Sequence, residues 1–285
     1  MIPNKSIFSI IILVLIFSQN LISAQSNVVS GIILNEKEEP LSYVNIGIIG
    51  TSLGTVSDEN GGFKLYFEET ISEEDTIRFS SIGYFTHDFS IKELRGKEDF
   101  KLEMKVSNNT LTEVVVLPDF EKTKTKGNKN TDARMNVNYS ISKKPNQNLG
   151  AEIGRKFKIK KTTHLKKVRF FIAANNFDTV RFRINIYHLK KRKPGENILS
   201  QNIIKEVVGK KMGWIEVDLT PYQILSNKSV VVGVEWIHHS KNGKSLRLPI
   251  SVPSIGSVHF YKFGSQNKWK RFNMMSSAIQ LKMAN

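Results

Sequence analysis

The sequence predicts an all-β protein: a cleavable leader followed by two β-sandwich domains. Three observations predict it. Short apolar segments with a period of two recur along most of the chain, Gly, Pro and Asn/Asp clusters punctuate them, and no helical apolar period separates them. The 285 residues include no cysteine, which excludes disulfides, thiolate metal sites and cysteine nucleophiles.

Residues 1–24 read as a signal peptide. Lys5 supplies a positive start, residues 7–17 are almost wholly apolar, Gln19 and Asn20 end the run, and Ser23-Ala24 forms a small-residue cleavage site. The apolar core is short for a membrane span, and nothing later approaches the ~18 apolar residues a spanning helix needs. The mature chain is therefore expected to be exported, to the periplasm or to the outer-membrane or cell surface, without a transmembrane segment.

The first domain is placed at residues 25–117. Its strands are expected near 28–34, 41–49, 55–57, 63–67, 77–82, 85–91 and 100–104, seven in about 80 residues, which indicates a small antiparallel sandwich. Gly31, Pro40-Leu41, Val44-Asn45-Ile46, Gly50-Thr51, Gly54-Thr55, Ser57-Asp58-Glu59-Asn60-Gly61, Phe63 and residues 79–84 (FSSIGY) follow one another in a fixed order. Together they resemble the carboxypeptidase-regulatory-like domain, a transthyretin-like sandwich frequent in exported Bacteroidetes proteins. The resemblance implies a structural module, with Phe63, Phe79 and Tyr84 in its core. It implies no peptidase, because the six histidines begin no H-E-x-x-H or H-x-x-E sequence. Leu111–Val116 (LTEVVV) resembles the segment that follows this domain in TonB-dependent receptors. It is read as a closing edge strand or as a docking strand for a partner. Too few residues follow for a receptor barrel.

Residues 118–150 are rich in Lys and Asn and are expected to be a basic flexible linker. A nucleic-acid arm is set aside because the chain is expected to be exported.

The second domain, 151–285, is expected to be a jelly-roll-like sandwich of eight or nine strands. Its clearest strand is 180–189, where Val180, Phe182, Ile184 and Ile186 alternate with Arg181, Arg183, Asn185 and Tyr187. That pattern predicts an apolar face inward and a cationic face outward. Residues 180–189, 194–197, 213–214, 217–219 and 234–237 resemble a domain of uncharacterised Bacteroidetes envelope proteins, from which no activity carries over.

Charge divides the chain. Residues 25–106 hold 8 Lys/Arg against 15 Asp/Glu, a net of −7, and residues 107–285 hold 33 against 11, a net of +22. The two halves either have different partners or attract each other. Candidate ligand contacts are Arg181, Arg183, Tyr187, Trp214 and Trp269, since sugars stack on flat aromatics and anions seek arginines. Trp236 shares a face with Val230, Val232 and Val234 and is assigned to the core. His238-His239 with Glu235 falls short of a metal site, because adjacent strand residues point apart and only Glu235 and His239 are expected to share a face. No phosphate-binding loop, dinucleotide fingerprint or nucleophile elbow is present. The sequence thus predicts a non-catalytic envelope binding or assembly module without cofactor, its basic domain engaging an anionic or glycan ligand or a protein partner. The alternative is an envelope glycan hydrolase whose carboxylates the sequence does not identify.

Overall fold

The computed structural model describes residues 27–68, 70–107, 122–141 and 148–285. The leader and the Leu111–Val116 segment lie outside the described residues. The first sandwich comprises β1 (Val28–Asn35), β2 (Asn45–Ile48), β3 (Gly54–Val56), β4 (Gly62–Tyr66), β5 (Thr76–Ser80), β6 (His87–Ser90) and β7 (Phe100–Met104). They form a three-stranded sheet, β4-β1-β7, and a four-stranded sheet, β3-β2-β5-β6. Between them Val29, Ile33, Ile46, Ile77, Phe79 and Met104 are fully buried, and Phe63 meets Phe79 edge-to-face at 5.5 Å. Gly31 has a physical reason: a Cβ there would lie 1.8 Å from the Phe100 carbonyl oxygen of the parallel neighbour β7. One expected strand ends early. Ser90 and Glu93 form a capping box that starts a single helical turn, α1 (Ile91–Leu94).

The rest of the chain is β8 (Thr123–Gly127), β9 (Met135–Asn138), β10 (Glu152–Phe157), β11 (Thr163–Ile172), β12 (Ala174–Asn175), β13 (Thr179–Lys190), β14 (Lys193–Asn197), β15 (Ile203–Val208), β16 (Gly213–Asp218), β17 (Leu225–Ser226), β18 (Val230–His239), β19 (Leu246–Ser251), β20 (Val258–Lys262), β21 (Lys270–Asn273), β22 (Ser276–Ser277) and β23 (Ile279–Ala284). One sheet runs β14-β13-β18-β10-β20-β21, with β15 also on β13. The sheet β16-β11-β23-β8 lies across the core from it, and β12-β19-β22, with β9, flanks them. The alternation in β13 is realised: Val180, Phe182, Ile184 and Ile186 are buried in the core with Trp236. The all-β class expected from the sequence is the class observed. No helix among the described residues is long and apolar enough to cross a membrane.

Two expectations are corrected. The stretch 118–150 is not simply a linker, because β8 pairs with β23, β9 pairs with β19, and Tyr139 is buried with its hydroxyl donating to the Val234 carbonyl at 2.7 Å. An edge strand needs one partner and leaves many side chains in water, so a Lys- and Asn-rich composition is compatible with it. The second correction concerns β18. Arg181 faces His238 across the ladder while Phe182 faces Trp236, so Ile237 is an extra residue, a β-bulge. The bulge turns His239 onto Trp236, with ring centroids 5.3 Å apart, and so away from Glu235.

Candidate functional site

Four of the five candidate residues gather on one surface, the outer face of the sheet built on β13. Here the ladder places four charges in a single rung across neighbouring strands: Arg183 opposite Glu235, Glu235 opposite Glu152, and Glu152 opposite Lys262. The order is plus, minus, minus, plus. Arg183 Nε donates to Glu235 Oε2 at 2.9 Å, and Lys262 Nζ lies 3.2 Å from Glu152 Oε2. The adjacent carboxylates would repel each other, but Asn185 Nδ2 sits between them and donates to both, at 3.0 and 2.8 Å. Asn197 fixes that amide by donating to Asn185 Oδ1, and the Tyr187 hydroxyl reaches both Glu152 oxygens at 3.0 Å.

The rung is dry. Glu152 is 0% exposed, and Arg183 and Glu235 are each 1% exposed. Burial pushes the Glu235 carboxyl up, but Arg183 and then Lys262 outweigh it and hold it below the usual carboxylate range. Glu152 goes the other way: burial raises it, Lys262 offsets part of that, and Glu235 adds to the rise. Tyr187 is held well above its ordinary value, by burial and then by Glu152, so it stays a hydroxyl donor. Gly233 makes room for this arrangement. A Cβ at that position would lie 2.0 Å from Glu152 Oε1.

The first sandwich covers one side of the rung. Arg183 Nη1 donates to the Tyr43 carbonyl at 2.8 Å. Arg181 binds the Tyr43 hydroxyl at 2.7 Å, pairs with Glu59 and Glu206, and so ties the turn after β3 to β13 and β15. The loop after β20 completes the junction. Ser265 Oγ donates to the Ile46 carbonyl at 2.6 Å, Gln266 Nε2 donates to Ser80 Oγ at 2.8 Å, and Lys262 Nζ donates to the Ser265 carbonyl at 3.1 Å. Glycines permit this approach. A Cβ at Gly47 or Gly54 would fall 2.8 or 2.7 Å from Ser265 Oγ. Tyr43 and Val56 of the first sandwich belong to the apolar core of the second.

The cationic face expected to meet a ligand is therefore largely occupied by the neighbouring domain. Arg183 is buried, and Arg181 is spent on carboxylates. Tyr187 is half-buried, with Trp269 against it at 5.7 Å; Trp269 also lies 5.3 Å from Lys262 Nζ. Trp214 is elsewhere. It stands on β16 in the other sheet, half-buried against Phe171 and beneath the Arg169 guanidinium at 4.9 Å. Glu152, Asn185, Asn197, Lys262 and Ser265 were not singled out by sequence. The one signal for them was Asn185, a polar residue at the centre of a long strand. A cavity of about 280 Å³ lies at the junction between Ser81 and Asn185; Glu235 lines it with Arg183 and Lys262, whereas Glu152 does not. Among the described residues no group of three or more His, Asp or Glu is placed to hold a metal ion.

A cluster of positive charge lies elsewhere, on β8, the end strand of the β16-β11-β23-β8 sheet. Lys122, Lys124 and Lys126 are exposed there beside Lys158, Lys160 and Lys161. Lys126 Nζ donates to the Lys158 carbonyl at 2.9 Å. Partial burial, and then Lys124, Lys160 and Lys158, lower the Lys126 ammonium.

Comparison with known proteins bears on the first sandwich. Residues 29–116 match the model of the CarboxypepD_reg-like domain, as the sequence resemblance implied. No curated protein matches the chain. Similar solved structures include a chain of a type II cohesin–X-dockerin complex from Acetivibrio cellulolyticus, with 17% identity and a TM-score of 0.24, covering 28% of this chain and 58% of that one. They also include the cysteine protease and lectin-like domains of a surface-layer-associated protein of Clostridium difficile, with 10% identity and a TM-score of 0.40, covering 94% of this chain and 60% of that one. The chain thus spans little more than half of these relatives. At such values the likenesses carry no argument about ligand or activity.

Proposed function

We propose that the chain is an exported, non-catalytic binding or assembly module of the cell envelope, joined into one unit at the charged rung, whose lysine edge engages an anionic glycan partner. The observation that carries this reading is the Lys122–Lys126 edge with Lys158–Lys161. Lys124, Lys160 and Lys158 stand close enough to Lys126 to add to the burial that lowers its ammonium, and no ion pair among the described residues involves Lys124, Lys126, Lys158 or Lys160. A concentration of like charge on an exposed edge attracts polyanions and is screened by salt. Lysines on an edge strand also discourage unwanted strand pairing, which suits an assembly part that must choose its contacts.

The test is binding of the purified protein to an acidic polysaccharide at low and high salt. Replacement of Lys124, Lys126, Lys158 and Lys160 by Gln is expected to remove the salt-sensitive part while leaving the unfolding temperature in place. Equal binding by this variant would refute the assignment. The second reading, a glycan hydrolase, rests on Glu152 and Glu235 standing side by side with carboxyls shifted in opposite directions. Both are buried and both accept a hydrogen bond from Asn185, which favours a structural role for them. Glycan turnover by the wild type that Glu235→Gln abolishes would favour the hydrolase.

A further inference from the structure

The end of the second sandwich that carries the loop between β19 and β20 combines two features the proposed function does not use. The first is apolar and exposed. Ile255 at the loop tip is 91% exposed, with Val252 and Met274 beside it at 43% and 50%. The three belong to one surface, because Ser254 N donates to the Met274 carbonyl at 2.7 Å and Met274 N donates to the Ser257 carbonyl at 3.0 Å. Behind the tip, Met135, Ile250, Phe272 and Met275 line an apolar groove of about 270 Å³. Isolated exposed apolar residues are ordinary; a contiguous set at a protruding tip marks a contact surface.

The second feature is a cation without a counter-ion. Arg155, on β10, is partly buried beneath the same loop. Among the described residues its side-chain hydrogen bonds are from Nη1 to Ser276 Oγ and from Nη2 to Ser257 Oγ at 3.4 Å, its guanidinium stands 5.5 Å from the Phe157 ring centre, its Nε has no hydrogen-bond partner, and no carboxylate pairs with it. Burial lowers it to about 10, with no acid to offset the effect. An arginine held by two serine hydroxyls and lacking an anion keeps the donor geometry that suits a phosphate oxygen. Exposed Arg134 and Lys270, which neighbour Met135 and Phe272 in the chain or across one residue of it, add positive charge around the groove.

We propose that this end of the sandwich docks on an anionic phospholipid surface, with Ile255, Val252 and Met274 entering the boundary between headgroups and acyl chains and Arg155 supplying the charge that meets lipid phosphate. Apolar insertion combined with electrostatic attraction is how proteins without a spanning segment hold a membrane surface. The site is distinct from the lysine edge on β8, so the two can fail separately.

The experiment is co-sedimentation of the purified protein with vesicles of phosphatidylcholine alone or mixed with phosphatidylglycerol, for the wild type, Ile255→Glu, Arg155→Gln and the four-lysine variant. Ile255 is almost fully exposed, so Ile255→Glu is expected to keep the unfolding temperature while weakening binding to anionic vesicles by about tenfold or more. Arg155→Gln leaves no acid unpaired and is expected to narrow the preference for anionic over neutral vesicles. The four-lysine variant is expected to retain an Ile255-dependent part of the binding. No wild-type binding to anionic vesicles overturns the proposal. So does vesicle binding that salt abolishes and Ile255→Glu leaves unchanged, which would assign it to surface lysines alone. A concentration-dependent dimer that Ile255→Glu dissolves would overturn it in favour of a second copy on the same surface.

Discussion

Gly233→Ala is a one-methyl test of the charged rung. Gly233 lies on β18 opposite Asn185 on one side and Gly154 on the other. The new Cβ would stand 2.0 Å from Glu152 Oε1, 2.9 Å from its Cδ and 3.2 Å from the Tyr187 ring, where ordinary contact begins at 3.4 Å. The oxygen would have to retreat by about 1.4 Å from a position where Tyr187 and Asn185 hold it, and the carboxylate would move with it against Lys262, which holds the other oxygen. Breaking one half of a buried ion pair costs about 3–5 kcal/mol. The entropy gained on replacing a strand glycine returns roughly 0.5–1 kcal/mol. The expected loss is therefore about 3 kcal/mol, measured by urea unfolding. The same substitution in a Glu152→Ala background, where the obstacle is gone, is expected to cost under about 1 kcal/mol, a coupling of about 2 kcal/mol between the two positions. Equal costs in the two backgrounds would show that the methyl group strains the strand itself and that the rung is not what Gly233 protects.

Two further predictions concern charge. Arg183→Met leaves Glu235 buried without its cation and is expected to cost about 3–5 kcal/mol, whereas Arg181→Met, at the more exposed rim with Glu59 and Glu206, is expected to cost about 1 kcal/mol. Thermal unfolding of both variants checks this, and similar losses would contradict the difference in burial. His259 is 3% exposed with Nδ1 unpartnered, and burial lowers it to about 4. The unfolded chain then takes up this proton first as pH falls, so stability declines between about 6.5 and about 4, by up to about 3 kcal/mol. His259→Phe is expected to flatten that part of the pH profile. His238 and His239, also lowered by burial, would leave a smaller residual slope.

The first sandwich was legible because each of its strands is short, flanked by turn residues and half-apolar. Phe63 and Phe79 reach the core as the pattern requires, and Tyr84 packs against it partly buried. In the second, the alternation of β13 correctly divided Phe182 from Arg183, and Trp236 followed its valines inward. Alternation, however, reports only which face a side chain leaves by. It does not report what lies on that face, so Arg183 read as a solvent cation although a second domain covers it. The polar residues of β10 follow the same rule: Glu152 and Arg155 find their partners, Lys262 and Ser276, only across the fold. The bulge at Ile237 inserts one residue into the ladder and reverses the parity of everything after it, which placed His239 on the wrong face. Lysine-rich β8 read as a linker because an edge strand need not be apolar.

The seat for Ser265 has a consequence for how such chains can be recombined. Two bare backbone positions, Gly47 and Gly54, receive the hydroxyl that bonds to Ile46, and a single methyl at either would collide with it. A sandwich of the same fold with alanine at those positions could not seat this partner without moving the loop that also orients Lys262. Missing side chains thus act as a matching rule between the halves. A domain exchange that respects only the boundaries of the fold would separate the rung from the cover it was built against.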